Sequence, residues 1–215
     1  MNENLVQELS RRGICTDTFR RLPSDKKERI YRTSLILFGE YGYDGFSIDR
    51  MCYEAGISKG SFFQYFLSKG HLLEFTILLF DDYLARWVVE IKNAELSSHT
   101  RDRLRHLYQA LIINSRLHKS EEKFYHFVVN AGHHSAVAIE GIDLERHFHN
   151  YVTRIIERGE LTGEVRGDFD VELTSHLVSM ILDALVRRQF SGRRVPRRET
   201  EEYLISFLFD GISAK

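Results

Sequence analysis

The chain has 215 residues, enough for one large domain or two modest ones around a real core, and its 30 basic and 31 acidic residues give a formal net charge of −1. Two distant cysteines, Cys15 and Cys52, make neither a disulfide scaffold nor a zinc site, which points to a reducing compartment. No run of 18 apolar residues is present and the N-terminus has no apolar signal core, so a soluble, cytoplasmic protein without a membrane partner is expected. The near-neutral total hides a gradient. Residues 20–70 carry nine basic and six acidic side chains, whereas 71–215 sum to −3. A basic N-terminal module on a mildly acidic body suits a nucleic-acid reader that does not bind with its whole surface.

Only two prolines, Pro23 and Pro196, interrupt the chain, and no stretch sustains period-two alternation, so an all-α fold is expected. Residues 1–24 form an N-terminal extension in which Leu5, Val6 and Leu9 allow one or two helical turns. Arg11, Arg12, Arg20 and Arg21 read either as part of an arm touching phosphates or the minor groove, or as part of an incompletely ordered extension. A first core helix is expected from about Asp25 to Tyr41, capped by Ser24 or Asp25, with Ile30, Ser34, Leu37, Phe38 and Tyr41 inward and Gly42 closing it.

The stretch Phe46 to Phe66 then reads as two short helices. Ser47 is a good N-cap for a helix carrying Ile48, Met51, Cys52 and Ala55, and Gly56 turns the chain. Ser58 caps a second helix from Lys59 to Tyr65. Two short helices with a glycine in the turn are the signature of a helix-turn-helix, whose second helix enters the DNA major groove.

From Ile30 to about Leu73 the sequence resembles the DNA-binding domain of the tetracycline-repressor (TetR) family of bacterial transcription regulators. The resemblance is carried by Ile30, Leu37, Phe38, Gly42-Tyr43, Ser47-Ile48, Ala55-Gly56-Ile57-Ser58-Lys59-Gly60, Tyr65-Phe66 and Ser68-Lys69. It implies a three-helix helix-turn-helix domain over 25–70 and a larger helical domain over 71–215 that binds a small molecule and dimerises. By the same resemblance, Ser47, Tyr65 and Lys69 fall on positions that commonly contact phosphates, and Lys59, Ser61 and Gln64 on positions that face the groove. Arg50, in the first turn of its helix, is placed to reach the backbone or a base. Gln64 can pair with adenine N6 and N7, and Lys59 can donate to guanine O6 and N7. Two residues depart from the family pattern. Phe63 stands where tyrosine is usual, losing a phosphate-contacting hydroxyl but offering an apolar face to a thymine methyl. Gly70 replaces a common acidic residue near the start of the next helix, weakening the expected cap.

That next helix runs from a Ser68 cap to about Asn93, roughly 35 Å at 1.5 Å per residue, long enough to enter a second domain. Further helices are expected near 100–117, 121–131, 136–158, 170–190 and 197–211, with a glycine-containing loop over 159–168. The resemblance makes 170–190 and 197–211 the homodimer surface, and a two-fold dimer implies a palindromic DNA operator. The apolar stripe of 170–190 reads equally as intrachain core. Candidate lining residues for an apolar, aromatic effector pocket are Tyr83, Trp87, Tyr108, Phe127, His134, Phe148 and Tyr151. His118, His126, His133, His134, His147 and His149 cluster in sequence but form no metal-ligand motif, so no metal or other cofactor is expected. No GxSxG, glycine-rich phosphate loop or nucleophile–base pairing occurs, which argues against an enzyme. The expected function is a dimeric DNA-binding repressor released by a small hydrophobic or aromatic ligand. The alternative is control by a metal ion or a protein partner.

Overall fold

The computed structural model describes residues 1–94, 99–131, 143–190 and 197–212, and among them every regular element is an α-helix. In chain order these are α1 (Glu3–Arg11), α2 (Asp17–Arg20), α3 (Ser24–Gly45), α4 (Ile48–Ala55), α5 (Lys59–Tyr65), α6 (Lys69–Asn93), α7 (Thr100–Leu117), α8 (Lys119–Ala131), α9 (Arg146–Leu161), α10 (Val171–Phe190) and α11 (Arg197–Ile212). The all-α expectation holds. The chain forms two compact units, one of residues 1–84 with 118–144 and one of 85–117 with 145–215, so α6 contributes to both.

In the first unit the inward stripe of α3 is as expected, with Ile30, Ser34, Leu37 and Phe38 all buried. Tyr41, expected to share that stripe, is instead exposed. Two hydroxyls meet inside this core: Ser34 Oγ lies 2.9 Å from Thr76 Oγ1 on α6, and with the Tyr31 and Leu72 carbonyls as further acceptors their two protons both find partners. A buried hydroxyl without such partners would be costly. Gly42 has φ 66° and ψ −174°, a conformation only glycine adopts readily, and it kinks α3 before Phe46 stacks on Phe38 at 3.9 Å between ring centroids. α8 packs along α3, with Phe124 fully buried. The approach is close at Gly39, where a Cβ would sit 2.9 Å from the backbone nitrogen of Phe124.

Residues 1–24 are more ordered than the sequence indicates. Asn2 caps α1, Thr16 caps α2, and Val6, Leu9 and Phe19 are completely buried. The cap expected from Ser24 or Asp25 is absent: Pro23 occupies the N-cap of α3 without a side-chain bond, and the Ser24 hydroxyl donates to Glu3 instead.

The second unit has its own core of Ile91, Leu104, Leu107, Tyr108, Val152, Ile155, Val178, Leu182 and Leu204, drawn from α6, α7, α9, α10 and α11. The helix expected over 136–158 begins only at Arg146; residues 143–145 precede it, and Ile139 and Ile142 lie outside the described residues. α10 divides its apolar residues between two faces. Val178 and Leu182 are buried, while Leu173, Leu177 and Met180 are 58%, 51% and 56% exposed.

Gly39→Leu forces a side chain into the α3–α8 contact and is expected to destabilise the protein by about 1–3 kcal/mol. The check is a lower urea midpoint; an unchanged midpoint would contradict the close approach.

Candidate nucleic-acid interface

α4 and α5 form the two-helix unit anticipated from the sequence. Ser47 Oγ accepts a hydrogen bond from the Arg50 amide at 3.3 Å, capping α4. Gly56 ends α4 in the left-handed region (φ 65°, ψ 41°), and the Ile57 amide reaches back to the Cys52 carbonyl at 2.9 Å. The outer end of α4 is held from α3 as well, where Arg29 Nε donates to the Ala55 carbonyl at 2.9 Å. Ser58 Oγ accepts from the Ser61 amide at 3.0 Å and lies 2.9 Å from Ser61 Oγ, capping α5.

α5 has two chemically distinct faces. Phe62 is completely buried, and Phe66 just beyond the helix is too. Tyr65, expected on a phosphate-contacting position, is only 4% exposed: its ring meets Phe19 edge-on at 6.0 Å, with Lys26 Nζ 5.7 Å from its centroid. The opposite face presents Lys59, Phe63 and Gln64 to solvent, with Ser61 half-buried beside them. Ser47 and Arg50 are exposed at the start of α4. Lys69 sits in the first turn of α6, where Ser68 Oγ accepts from the His71 amide at 3.2 Å. Ser68 thus supplies a cap despite Gly70.

Each cation around this face has a partner within the protein. Arg50 Nε donates to Glu54 Oε1 at 2.7 Å, and its guanidinium lies 4.5 Å from the Tyr41 ring centroid. Lys59 Nζ is 2.9 Å from Asp49 Oδ1. Lys69 Nζ donates to the Tyr43 carbonyl at 2.8 Å and lies over the Tyr43 ring at 4.2 Å. Exposed ion pairs of this kind are worth little in water, so a phosphate can displace the acid. Cys52, on the inner side of α4, is buried, and burial raises its thiol above the ordinary range; burial likewise raises the Cys15 thiol to about 11.

The C-terminal candidates divide between the two units. Trp87 and Phe148 meet edge-to-face at 5.4 Å beside the same core as Tyr108 and Tyr151. Tyr83 instead stacks on Phe80, and Phe127 on Phe38, in the first unit. Helical spacing marks such residues as inward without saying which core they enter. His134 lies outside the described residues. Among the described residues, no group of three or more His, Cys, Asp or Glu is arranged to hold a metal ion, and no helix is long and apolar enough to cross a membrane. His149 Nε2 is 3.0 Å from Glu172 Oε1.

The helix-turn-helix region falls inside a segment, residues 30–75, that matches the family of bacterial regulatory proteins of the tetR type. Residues 30–75 are a tetR-family segment. Members are DNA-binding transcription regulators with a helix-turn-helix at the N-terminus and a helical domain after it. Over 72 residues the chain is 38% identical to the uncharacterized HTH-type transcriptional regulator YerO of Bacillus subtilis (strain 168). That match covers 34% of this chain and 24% of YerO, so it spans about a quarter of the relative's length. Among solved structures, a TetR family transcriptional regulator from Chloroflexus aurantiacus J-10-fl superposes with a TM-score of 0.70 at 20% identity, covering 94% of this chain and 99% of that one. The ketosteroid transcriptional regulator KstR2 of Mycobacterium tuberculosis does so at 0.64 and 19%, covering 91% and 98%. At these identities the likeness is one of fold.

Two residues that shape this TetR-type surface were not singled out from the sequence as functional. Asp49 pairs with the exposed Lys59, and the only sequence signal is an acid ten positions before a base. Thr16 bonds the end of α5, and the signal is a Thr-Asp pair of the kind that opens a short helix. Asp49→Asn releases Lys59 and removes a negative charge from the exposed face. It is expected to strengthen binding to every duplex at low salt and to steepen the slope of log K against log salt by about 0.9. Fluorescence anisotropy over a salt series checks this; an unchanged slope would show that the pair does not compete with DNA.

Proposed function

We propose that the protein is a dimeric repressor that reads a palindromic operator with the outer face of α5 and releases it on binding a small hydrophobic or aromatic ligand. The observation that carries the reading is the division of α5: Phe62 and Tyr65 fix its inner side, leaving Lys59, Ser61, Phe63 and Gln64 together on the outer side. Gln64 and Lys59 are assigned to base edges, with Phe63 meeting a thymine methyl. Ser47, Arg50 and Lys69 are assigned to phosphates, which set register without reading sequence. Lys69 gains from the free amides and dipole at the start of α6. Tyr65 supports the surface from beneath.

The dimer assignment is supported by the outer faces of α10 and α11. Leu173, Leu177 and Met180 recur at helical spacing on the first, and Tyr203 and Phe207, 73% and 61% exposed, on the second. Large apolar side chains grouped at helical spacing on an outer face mark an association surface. Two-fold pairing through these helices would set the recognition helices about 34–36 Å apart, one turn of DNA. The ligand is assigned to the aromatic part of the second core, around Trp87, Tyr108, Phe148 and Tyr151. It acts by binding better to the arrangement whose α5 spacing does not fit the operator. α6, shared by both units, is the physical connection.

Selection from a random duplex pool should enrich a palindrome with half-sites one turn apart. On that duplex, Gln64→Ala is expected to cost about 1–3 kcal/mol of discrimination at one base pair per half-site. Lys69→Ala should weaken all duplexes alike and reduce the salt slope by about one. Equal loss on every sequence from Gln64→Ala would remove the base-reading role. Leu177→Arg combined with Phe207→Arg should shift the mass in light scattering to the 25.2 kDa monomer and abolish binding to the full palindrome at concentrations where the parent binds. A persistent dimer would place the interface elsewhere.

A further inference from the structure

The recognition helix has seven residues and no C-terminal cap of its own. Its last carbonyls lack intrahelical partners, as in any α-helix, and the chain leaves it at Phe66 in an extended conformation (φ −136°, ψ 133°) with no glycine to fold back. Two of those carbonyls are instead taken by one residue 48 positions upstream. Thr16 Oγ1 donates to the Gln64 carbonyl at 2.6 Å, and the Thr16 amide donates to the Tyr65 carbonyl at 3.0 Å.

Thr16 is itself held. Its Oγ1 accepts from the Phe19 amide at 3.2 Å, and the buried Phe19 ring lies 6.0, 5.0 and 4.9 Å from Tyr65, Phe66 and Phe75. The extension is fastened at its far end too. Glu3 takes hydrogen bonds from the buried Lys27 ammonium and from Ser24, and Asn2 Nδ2 donates to Asp82 Oδ1 at 2.9 Å. The extension that makes these contacts, from Asn2 to Phe19, lies before residue 30, where the family match begins.

We propose that Thr16 is a positioning residue for DNA reading: it closes the C-terminal end of α5 from outside the helix and so holds Gln64 in register with its base pair. The proposal rests on the assignment of Gln64 to a base edge. What Thr16 grips is the backbone carbonyl of the same residue whose side chain is offered to the groove. A loosened last turn lets that side chain wander over neighbouring bases, so the loss falls on discrimination more than on affinity.

The test uses the full chain and two duplexes: the one enriched by selection, and the same duplex altered at the base pair whose preference Gln64→Ala relaxes. Thr16→Val should narrow the ratio of the two dissociation constants about fivefold, the size of a lost helix cap, and leave binding to an unrelated duplex within about twofold. Thr16→Ser, which keeps the hydroxyl, should preserve the ratio. In the Gln64→Ala background Thr16→Val should change the ratio no further. If Thr16→Val does not fold, Thr16→Asp serves, since aspartate still caps α2 but cannot donate to the Gln64 carbonyl. A lowered melting temperature with an unchanged ratio would reduce Thr16 to a structural role and overturn the proposal. A ratio insensitive to Gln64→Ala itself would overturn the base-reading assignment first, and this inference with it.

Discussion

A helix of seven residues does not hold itself together in water. Nucleation fixes several residues before the first hydrogen bond is gained, and isolated helices below about 12–15 residues are marginal. α5 exists because it is held at both ends and from beneath: by Ser58 at its start, by Thr16 at its finish and by the cluster of Phe19, Phe62, Tyr65, Phe66 and Phe75 under it. Much of the first unit serves this constraint. α6 supplies Phe75, α2 supplies Phe19, and Arg29 of α3 pins the end of the neighbouring α4. The face left over after that packing is small and carries Lys59, Ser61, Gln64 and the apolar ring of Phe63.

The same face is electrostatically quiet when free. Arg50, Lys59 and Lys69 are engaged by Glu54, Asp49 and the Tyr43 carbonyl. If this face meets DNA as proposed, association is an exchange of partners instead of an encounter of bare charges. Such an exchange lowers affinity for phosphate as such and leaves more of the binding energy to depend on base contacts, because non-specific binding is almost wholly electrostatic.

The elements that are locally encoded were legible in the sequence. Ser47, Gly56 and Ser58 signal helix ends by chemistry that acts within a few residues, and each is found doing so. The stripe of α3 follows from helical period as far as Phe38, and Tyr41, the next residue in the pattern, is exposed. What escaped depends on contacts distant in sequence. Nothing near Thr16 tells that its hydroxyl will meet residue 64, and nothing near Leu5, Val6 and Leu9 tells that this extension will find a core to fold against. Tyr83 and Phe127 share the spacing of Trp87 and Tyr151, yet period says only that a side chain faces inward, and these pairs entered different units. The apolar stripe of α10 is only partly intrachain core: Val178 and Leu182 are buried, and Leu173, Leu177 and Met180 stay exposed.

Operator reading as proposed depends on α5 being the surface that meets DNA. Hydrogen–deuterium exchange on the full chain, with and without the selected duplex, addresses this directly. Protection is predicted at the start of α4, across Ser58 to Gln64 and through the first turn of α6, with little change over the outer face of α10. Protection confined to other segments, with α5 amides exchanging as in the free protein, would contradict it.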